Sequence, residues 1–195
     1  MNHIVFQSKC QGYSHIKSDL ECQDSTLVKK TEKYAIAVVA DGHGSASYFR
    51  SSRGSLFATE AAITAIEELL ETILSDKSNM DDFCASIDKH LIQLERSVIA
   101  RWHERVEDDY SKNPFLDSEI LKVDEKHKEK YLKGERIEAA YGSTLIAVAC
   151  TDAFWFGIHI GDGKCITCDY SGNFAEPIPW DEKCFLNVTT SISDS

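Results

Sequence analysis

In two long stretches of the chain the apolar residues recur at the spacing of an α-helix, and these stretches lie between runs whose apolar residues are typical of β-strands. This order restricts the possible folds more than any other feature of the sequence. Apolar residues recur every three or four positions over about 45–75 and again over about 80–108. They predict an antiparallel pair of helices, each on the order of 40 Å long at ~1.5 Å per residue. Ser45 is the expected cap of the first helix. The predicted buried faces are Leu56, Ile63, Ile66, Leu70 and Ile73 in the first helix, and Phe83, Ile87, Leu91, Leu94, Val98, Trp102 and Val106 in the second.

The apolar runs on either side of the helices are typical of β-strands. Residues 34–40 are nearly continuously apolar, which predicts a central strand buried on both faces. Residues 144–150, 154–160 and 164–170 follow closely on one another, separated by short turns, and predict an antiparallel meander. Segregated strands and helices indicate an α+β fold in which the helix pair covers a mostly antiparallel sheet. We expect one domain over 1–195, with the charged segment at about 109–138 as an exposed insertion.

Composition excludes several classes of function. The net charge of −11 argues against a nucleic-acid partner, since such proteins need a cationic face for phosphate. No apolar run approaches the ~20 residues of a membrane span, so we expect no membrane partner. Seven scattered cysteines without a secretion signal favour a reducing, cytoplasmic location. The pair Cys165 and Cys168 has no second pair, and residues three apart on a strand point to opposite faces, which disfavours a zinc site.

The segment ADGHGS at 40–45 carries the strongest chemical signal. Asp41 stands at the end of a buried strand, where its oxygens could bind a hard divalent cation. Gly42 allows close approach of the backbone, so that its carbonyl could serve as a second ligand. His43 can transfer protons near neutral pH. The alternative is an Asp-Gly turn that only ends the strand.

Three further motifs fit ordinary turns when each is taken alone. They are CQDS at 22–25, YGST at 141–144 and HIGDG at 159–163. In their order along the chain, with ADGHGS between the first two, they resemble the metal-dependent serine/threonine protein phosphatases, the PPM or type-2C family. The similarity covers about 10–170 and is greatest to a bacterial branch with Cys-Gln-Asp as its first motif. It implies a layered α/β–β/α sandwich of antiparallel sheets.

The resemblance also implies a role for each matching residue. In the family the Asp-Gly pair, here Asp41 and Gly42, bridges two Mn²⁺ or Mg²⁺ ions, which activate the water that attacks phosphorus. His43 matches a proposed general acid. Asp24 supports the hydration of the metals, and Asp162 matches a ligand of a third, weaker metal. The substrate would be a phosphoprotein.

The chain departs from the family pattern at several points. Gln23 replaces a common glutamate, and Asp19 stands where the family often has a phosphate-binding arginine. We therefore expect His15 or Lys17 to bind the substrate phosphate. Two aspartate motifs expected near the C-terminus are missing, so C-terminal elements of the fold are expected to be absent, leaving a sheet face through which copies could associate.

Three functions are compatible with these patterns. The first is hydrolysis of phosphoserine or phosphothreonine by a metal-activated water. The alternative is a catalytically impaired, phosphatase-like regulatory or binding module, favoured by Gln23, Asp19 and the missing aspartates. A metal-dependent hydrolase of another phosphoester is a third, weaker interpretation.

Overall fold

The apolar runs outside the helical region form one antiparallel sheet. The computed structural model describes residues 3–17, 20–184 and 189–194. The strands lie side by side in chain order: β1 (Ser25–Lys30), β2 (Tyr34–Ala40), β3 (Leu145–Thr151) and β4 (Trp155–Ile160). The predicted antiparallel arrangement is therefore confirmed. Because β2 pairs with β3 across the whole helical region, the two ends of that region meet at the sheet.

Six helices accompany the sheet in the described part of the chain, with three short 3₁₀ turns. The helices are α1 (Tyr13–Lys17), α2 (Ser51–Ile73), α3 (Lys77–Ala85), α4 (Ile87–Lys112), α5 (Asp117–Ile120) and α6 (Glu125–Leu132). The 3₁₀ turns are Ala46–Tyr48, Glu138–Tyr141 and Ile192–Asp194.

Helix α2 packs on one face of the sheet, and α4 packs antiparallel on α2. Ion pairs fix this direction, since Arg53 near the start of α2 pairs with Asp109 near the end of α4. Trp102 is fully buried, and its indole N–H donates to the carbonyl of Gly54 over 3.0 Å. A Cβ at position 54 would lie 1.7 Å from the carbonyl oxygen of Tyr141, so the absence of a side chain permits this approach.

The helix boundaries differ from the sequence prediction. Helix α2 begins at Ser51 rather than 45, and the side chain of Ser45 makes no capping hydrogen bond to the 3₁₀ turn that follows it. The second predicted helix is two helices, because Ser86 interrupts the helical backbone between α3 and α4. Leu56 and Ile87 are exposed, although the helical period placed both on buried faces.

The charged segment at 109–138 is mostly exposed, as its composition predicted, but a few of its apolar side chains are buried. Ile120, Val123 and Tyr131 are buried and join the main hydrophobic core. The hydroxyl of Tyr131 also donates to the carbonyl of Ser47 over 2.7 Å. A few large apolar side chains therefore fix this segment against the 3₁₀ turn Ala46–Tyr48, while its charges remain at the surface.

A buried arginine ties the same segment to the start of α2. Arg50 is 5% exposed, and its guanidinium donates to both carboxylate oxygens of Glu119, over 3.0 and 2.9 Å. It also donates to the hydroxyl of Tyr141 over 2.8 Å. Burial opposes the charge, but the hydrogen bonds to Glu119 and Tyr141 outweigh it and raise the pKa of Arg50.

The other face of the sheet is only partly covered. Val39 and Trp155 remain 48% and 44% exposed. The third strand of the predicted meander is wrong in its extent, since only β5 (Thr167–Cys168) is a strand there, and it pairs with β6 (Phe174–Ala175) in a separate sheet. Association of copies through this face stays a prediction. None of the helices in the described ranges has the length and apolarity needed to cross a membrane.

Candidate active site

The register of the sheet brings four chain segments to one end of it. Ser25 at the start of β1 pairs with Ala40 at the end of β2. Leu145 at the start of β3 pairs with Ile160 at the end of β4. The residues just outside these strand ends therefore stand on neighbouring segments: Asp24, Asp41, Thr144 and Asp162.

The loop after β2 is held by hydrogen bonds from both of its neighbours. The amide of Asp41 donates to Oγ1 of Thr144 over 3.0 Å, and the carbonyl of Asp41 accepts from the amide of Thr144 over 2.8 Å. The amide of Gly42 donates to the carbonyl of Gln23 over 3.1 Å. A Cβ at position 42 would lie 2.6 Å from the carbonyl oxygen of Gln23 and 2.7 Å from that of Ser51. Only glycine fits there without movement of the backbone.

The carboxyl group of Asp41 lies among other carboxyl groups. Although Asp41 is exposed as a residue, protein crowds its carboxyl group, and this desolvation is the largest cause of a raised pKa. The charge and hydrogen bond of Asp24 and the charge of Asp162 raise the pKa further, to about 6, while His15 lowers it. The structure thus brings these three predicted acidic residues into one electrostatic cluster.

His43 lies beside this cluster and is half-buried. Its ring meets that of Tyr48 edge-on, with 4.7 Å between ring centroids. Burial lowers the pKa of His43, while the charges of Asp194 and Asp162 act in the opposite direction. With its pKa lowered, the imidazole is mainly neutral at pH 7, with one nitrogen able to donate and the other able to accept.

Asp194 is a site residue that the sequence reasoning missed. The chain near it docks on the turn before β3, where the amide of Ile192 donates to the carbonyl of Ser143 over 2.9 Å. In the C-terminal tail, the side chain of Ile192 is fully buried. The rest of that tail, 185–188 and 195, lies outside the described residues. The Ser-Asp-Ser context of Asp194 gave no signal, because only this docking brings it to His43.

The N-terminal segment supplies cations at the same end of the sheet. His15 on α1 acts electrostatically on Asp41. Lys17 is exposed, and no hydrogen bond or ion pair joins it to any described site residue. Asp19, which the sequence analysis singled out, lies outside the described residues. Lys9 was missed, yet its Nζ donates to the carbonyl of Asp24 over 3.3 Å.

An open cavity of about 340 Å³ lies next to Lys9, Asp24 and Asp41. Lys9 and Cys10 form one wall, while Asp24 and Asp41 lie on the side of the strand ends. Among the described residues that line this cavity, Lys9 is the only cationic one. Its other lining residues are Ser8, Ser25, Thr26, Val39, Ala40, Thr144, Ile146 and Gly163.

Comparison with protein families shows which family the chain belongs to. The family model described as Protein phosphatase 2C matches residues 11–195. This chain belongs to the protein phosphatase 2C family. The match covers the four strands of the main sheet and the long helices α2 and α4, and the predicted family is confirmed. A search of curated proteins found no match.

The acidic cluster of this phosphatase 2C chain fits a divalent cation of the Mg²⁺ type. Asp24, Asp41 and Asp162 repel one another, and a cation between them would relieve the repulsion. No three His, Cys, Asp or Glu side chains in the described ranges form a ready-made ligand set. Mg²⁺ typically uses one or two carboxylates with several waters and substrate phosphate, so a sparse set of protein ligands suits it.

Proposed function

We propose that this protein is a phosphatase that hydrolyses phosphoserine and phosphothreonine in proteins and requires Mn²⁺ or Mg²⁺. The supporting observation is that burial of the Asp41 carboxyl group, together with the charges of Asp24 and Asp162 from neighbouring strand ends, raises the pKa of Asp41 to about 6. A structural Asp-Gly turn needs no such crowding. Repulsion among carboxyl groups costs free energy in a metal-free fold, and it is explained by a site adapted to hold cations.

Each residue has a part in the proposed reaction. Asp41, the carbonyl of Gly42 and Asp162 would hold the cations, and Asp24 would orient the water around them. Bound divalent cations supply activation of water and neutralisation of phosphate charge. His43 stands beside the cluster, and its protonated form would donate a proton to the departing serine or threonine oxygen.

The phosphate group itself needs a cation from the protein side. Lys9 lines the cavity next to Asp24, and His15 lies within electrostatic reach of Asp41. We therefore assign the anchoring of substrate phosphate to Lys9 and His15, in place of His15 or Lys17. The Lys9 ammonium can move from the Asp24 carbonyl to a phosphate oxygen, a stronger, charge-assisted partner.

A regulatory, phosphatase-like binding module is the second candidate. It is favoured by Gln23, whose neutral amide stands where a carboxylate is common. It is also favoured because no three His, Cys, Asp or Glu side chains of the described residues form a ready-made metal-binding group. Such a module would bind cation or phosphoprotein without turnover.

Hydrolysis of p-nitrophenyl phosphate and of phosphoserine, phosphothreonine and phosphotyrosine peptides tests the proposal. Wild type is expected to release phosphate only with Mn²⁺ or Mg²⁺, and to prefer the serine and threonine peptides. Asp41→Ala should abolish turnover, whereas Asp81→Asn, which removes an exposed carboxylate from α3, should not. Turnover that survives Asp41→Ala would refute the assignment, and absent turnover with intact Mn²⁺ binding would favour the regulatory module.

A further inference from the structure

A cluster of cationic side chains surrounds His127 on α6, in a chain whose net charge is −11. Desolvation is the largest cause of the lowered pKa of His127, and the charge of Arg136 comes next. Lys126 and Lys130, both exposed, lower it further, while Asp124 acts in the opposite direction. Cations therefore outnumber carboxylates around this imidazole.

Arg136 differs from the neighbouring lysines in having no carboxylate partner. Lys128 pairs with Glu125 and Lys133 with Glu129, each over 2.6 Å. No ion pair joins a carboxylate to Arg136 among the residues that the structure describes. The charge of this guanidinium is therefore available to an anion from outside the chain.

The guanidinium of Arg136 is half-buried and held in one place. It donates to Nδ1 of His127 over 3.0 Å, and its central carbon lies 5.9 Å from the centre of the Tyr131 ring. A neutral imidazole that accepts at Nδ1 carries its own proton on Nε2. Arg136 and His127 thus offer N–H donors side by side, an arrangement that suits a phosphate or a carboxylate.

A short series of contacts connects this cluster to the candidate active site. Tyr131, whose ring contacts Arg136, donates its hydroxyl to the carbonyl of Ser47 over 2.7 Å. The next residue is Tyr48, whose ring lies 4.7 Å from that of His43. An extended peptide advances ~3.3 Å per residue, so a side chain two to four residues from the reacting phosphoserine lies roughly 7–13 Å from it. The contacts from His43 to Arg136 span a distance of this order.

We propose that Arg136, His127, Lys126 and Lys130 bind a second anionic group of the substrate, a phosphate or a carboxylate close in sequence to the phosphorylated serine or threonine. The inference rests on the proposed phosphatase function and specifies its substrate class, namely phosphoproteins with acidic or multiply phosphorylated segments. Such a segment is repelled by a chain of net charge −11, so a local cationic cluster is needed to hold it.

Hydrolysis of a matched set of phosphoserine peptides tests the proposal. The peptides carry alanine, glutamate, lysine or a non-hydrolysable phosphonate analogue of phosphoserine three residues before or after the target. On one side of the target, the phosphonate should raise kcat/KM about tenfold over alanine, as expected for charge-assisted hydrogen bonds, and lysine should lower it. Glutamate should act like the phosphonate with a smaller effect. Equal rates for all four peptides on both sides would overturn the proposal.

Substitution of the arginine locates the preference. In Arg136→Met the phosphonate and alanine peptides should be hydrolysed at equal rates. Arg96→Met, which removes an exposed arginine from α4, should keep the wild-type ratio. A tenfold preference that survives Arg136→Met would overturn the site.

Charge reversal at an exposed lysine covers the case in which Arg136→Met does not fold. Lys130→Glu should melt like wild type and reduce the preference for the phosphonate peptide several-fold. Lys133→Glu, at the end of the same helix, is the control, because Lys133 does not act on His127. Equal loss of preference in the two variants would assign the effect to overall charge and overturn the site.

The NMR signal of the Arg136 Nε–H tests binding without turnover, in Mg²⁺ and with assignment by its loss in Arg136→Met. The signal should shift with a peptide that carries phosphonate at both positions, and not with one that carries it only at the target position. Such a shift in a protein without turnover would establish the anion site while the proposed function fails. Turnover without the shift would overturn the site and leave the proposed function intact.

Discussion

Replacing Asp41 by asparagine should stabilise the metal-free protein. Burial of the Asp41 carboxyl group and the charges of Asp24 and Asp162 raise its pKa from 3.8 to about 6. An asparagine amide carries no charge and can donate to the Asp24 carboxylate. A residue that merely shaped a turn would give the opposite result on replacement, so this measurement separates the two interpretations of the Asp-Gly pair.

The size of the stabilisation expected for Asp41→Asn follows from the raised pKa of Asp41. A shift of about two units corresponds to about 3 kcal/mol at ~1.4 kcal/mol per unit. Because Asp41 is exposed to solvent, screening reduces this to roughly 1.5 kcal/mol. For a chain of this length, 1 kcal/mol moves the melting temperature by about 2–4 °C, so Asp41→Asn should melt about 4 °C higher than wild type.

The stabilisation expected for Asp41→Asn should increase with pH. Because the pKa of Asp41 is higher in the folded protein than in the unfolded chain, protonation of Asp41 stabilises the fold at low pH. This contribution to the free energy of unfolding is lost as pH rises from about 4 through about 6. The gap in melting temperature between Asp41→Asn and wild type should therefore be small at pH 4.5 and full at pH 7.5. Calorimetry in a metal chelator measures both, with Asp81→Asn as the control. An Asp41→Asn variant that melts below wild type at pH 7.5 would refute the reasoning.

Three further predictions concern the buried arginine, the helix contact and the phosphate anchor. Arg50→Met leaves Glu119 unpaired and should cost about 3–5 kcal/mol in urea unfolding, whereas Arg105→Met, from an exposed pair, should cost under ~1 kcal/mol. Gly54→Ala should cost roughly 3 kcal/mol because its Cβ meets the Tyr141 carbonyl, while Gly44→Ala, with 3.7 Å of room, should unfold like wild type. Lys9→Met should raise KM for phosphopeptides about tenfold through loss of a charge-assisted hydrogen bond, and Lys17→Met should leave it unchanged; equal effects of the two lysines would contradict the anchor.

Much of the fold could be predicted because local periodicity reports it directly. The alternation of strand and helix periods placed β2, β3 and β4 and the antiparallel helix pair nearly correctly. The sequence prediction was less accurate where a few apolar side chains, rather than the average composition of a segment, determine how that segment packs. Tyr131 and Ile120 anchor a mostly exposed, charged segment to the core, and the average composition of that segment does not reveal them.

The candidate site was predictable only in part, because some of its residues lie at strand ends and others are placed by contacts that have no sequence pattern. Asp24, Asp41 and Asp162 stand at strand ends, and an antiparallel register necessarily gathers such residues. Lys9 is brought to the site by irregular backbone near Asp24, and Asp194 by a short 3₁₀ turn whose segment hydrogen-bonds to Ser143. A sequence carries no periodic signal for such contacts.

Titration of Mn²⁺ into the metal-free protein by calorimetry at pH 7.5 tests the central claim most directly. Wild type and Asp81→Asn should bind Mn²⁺, and binding should be lost in Asp41→Asn and weakened in Asp162→Asn. Because folding is checked by the melting temperature of the same samples, loss of binding cannot be mistaken for loss of structure. Equal Mn²⁺ binding by wild type and Asp41→Asn, or none by wild type, would contradict a metal site at the end of this sheet.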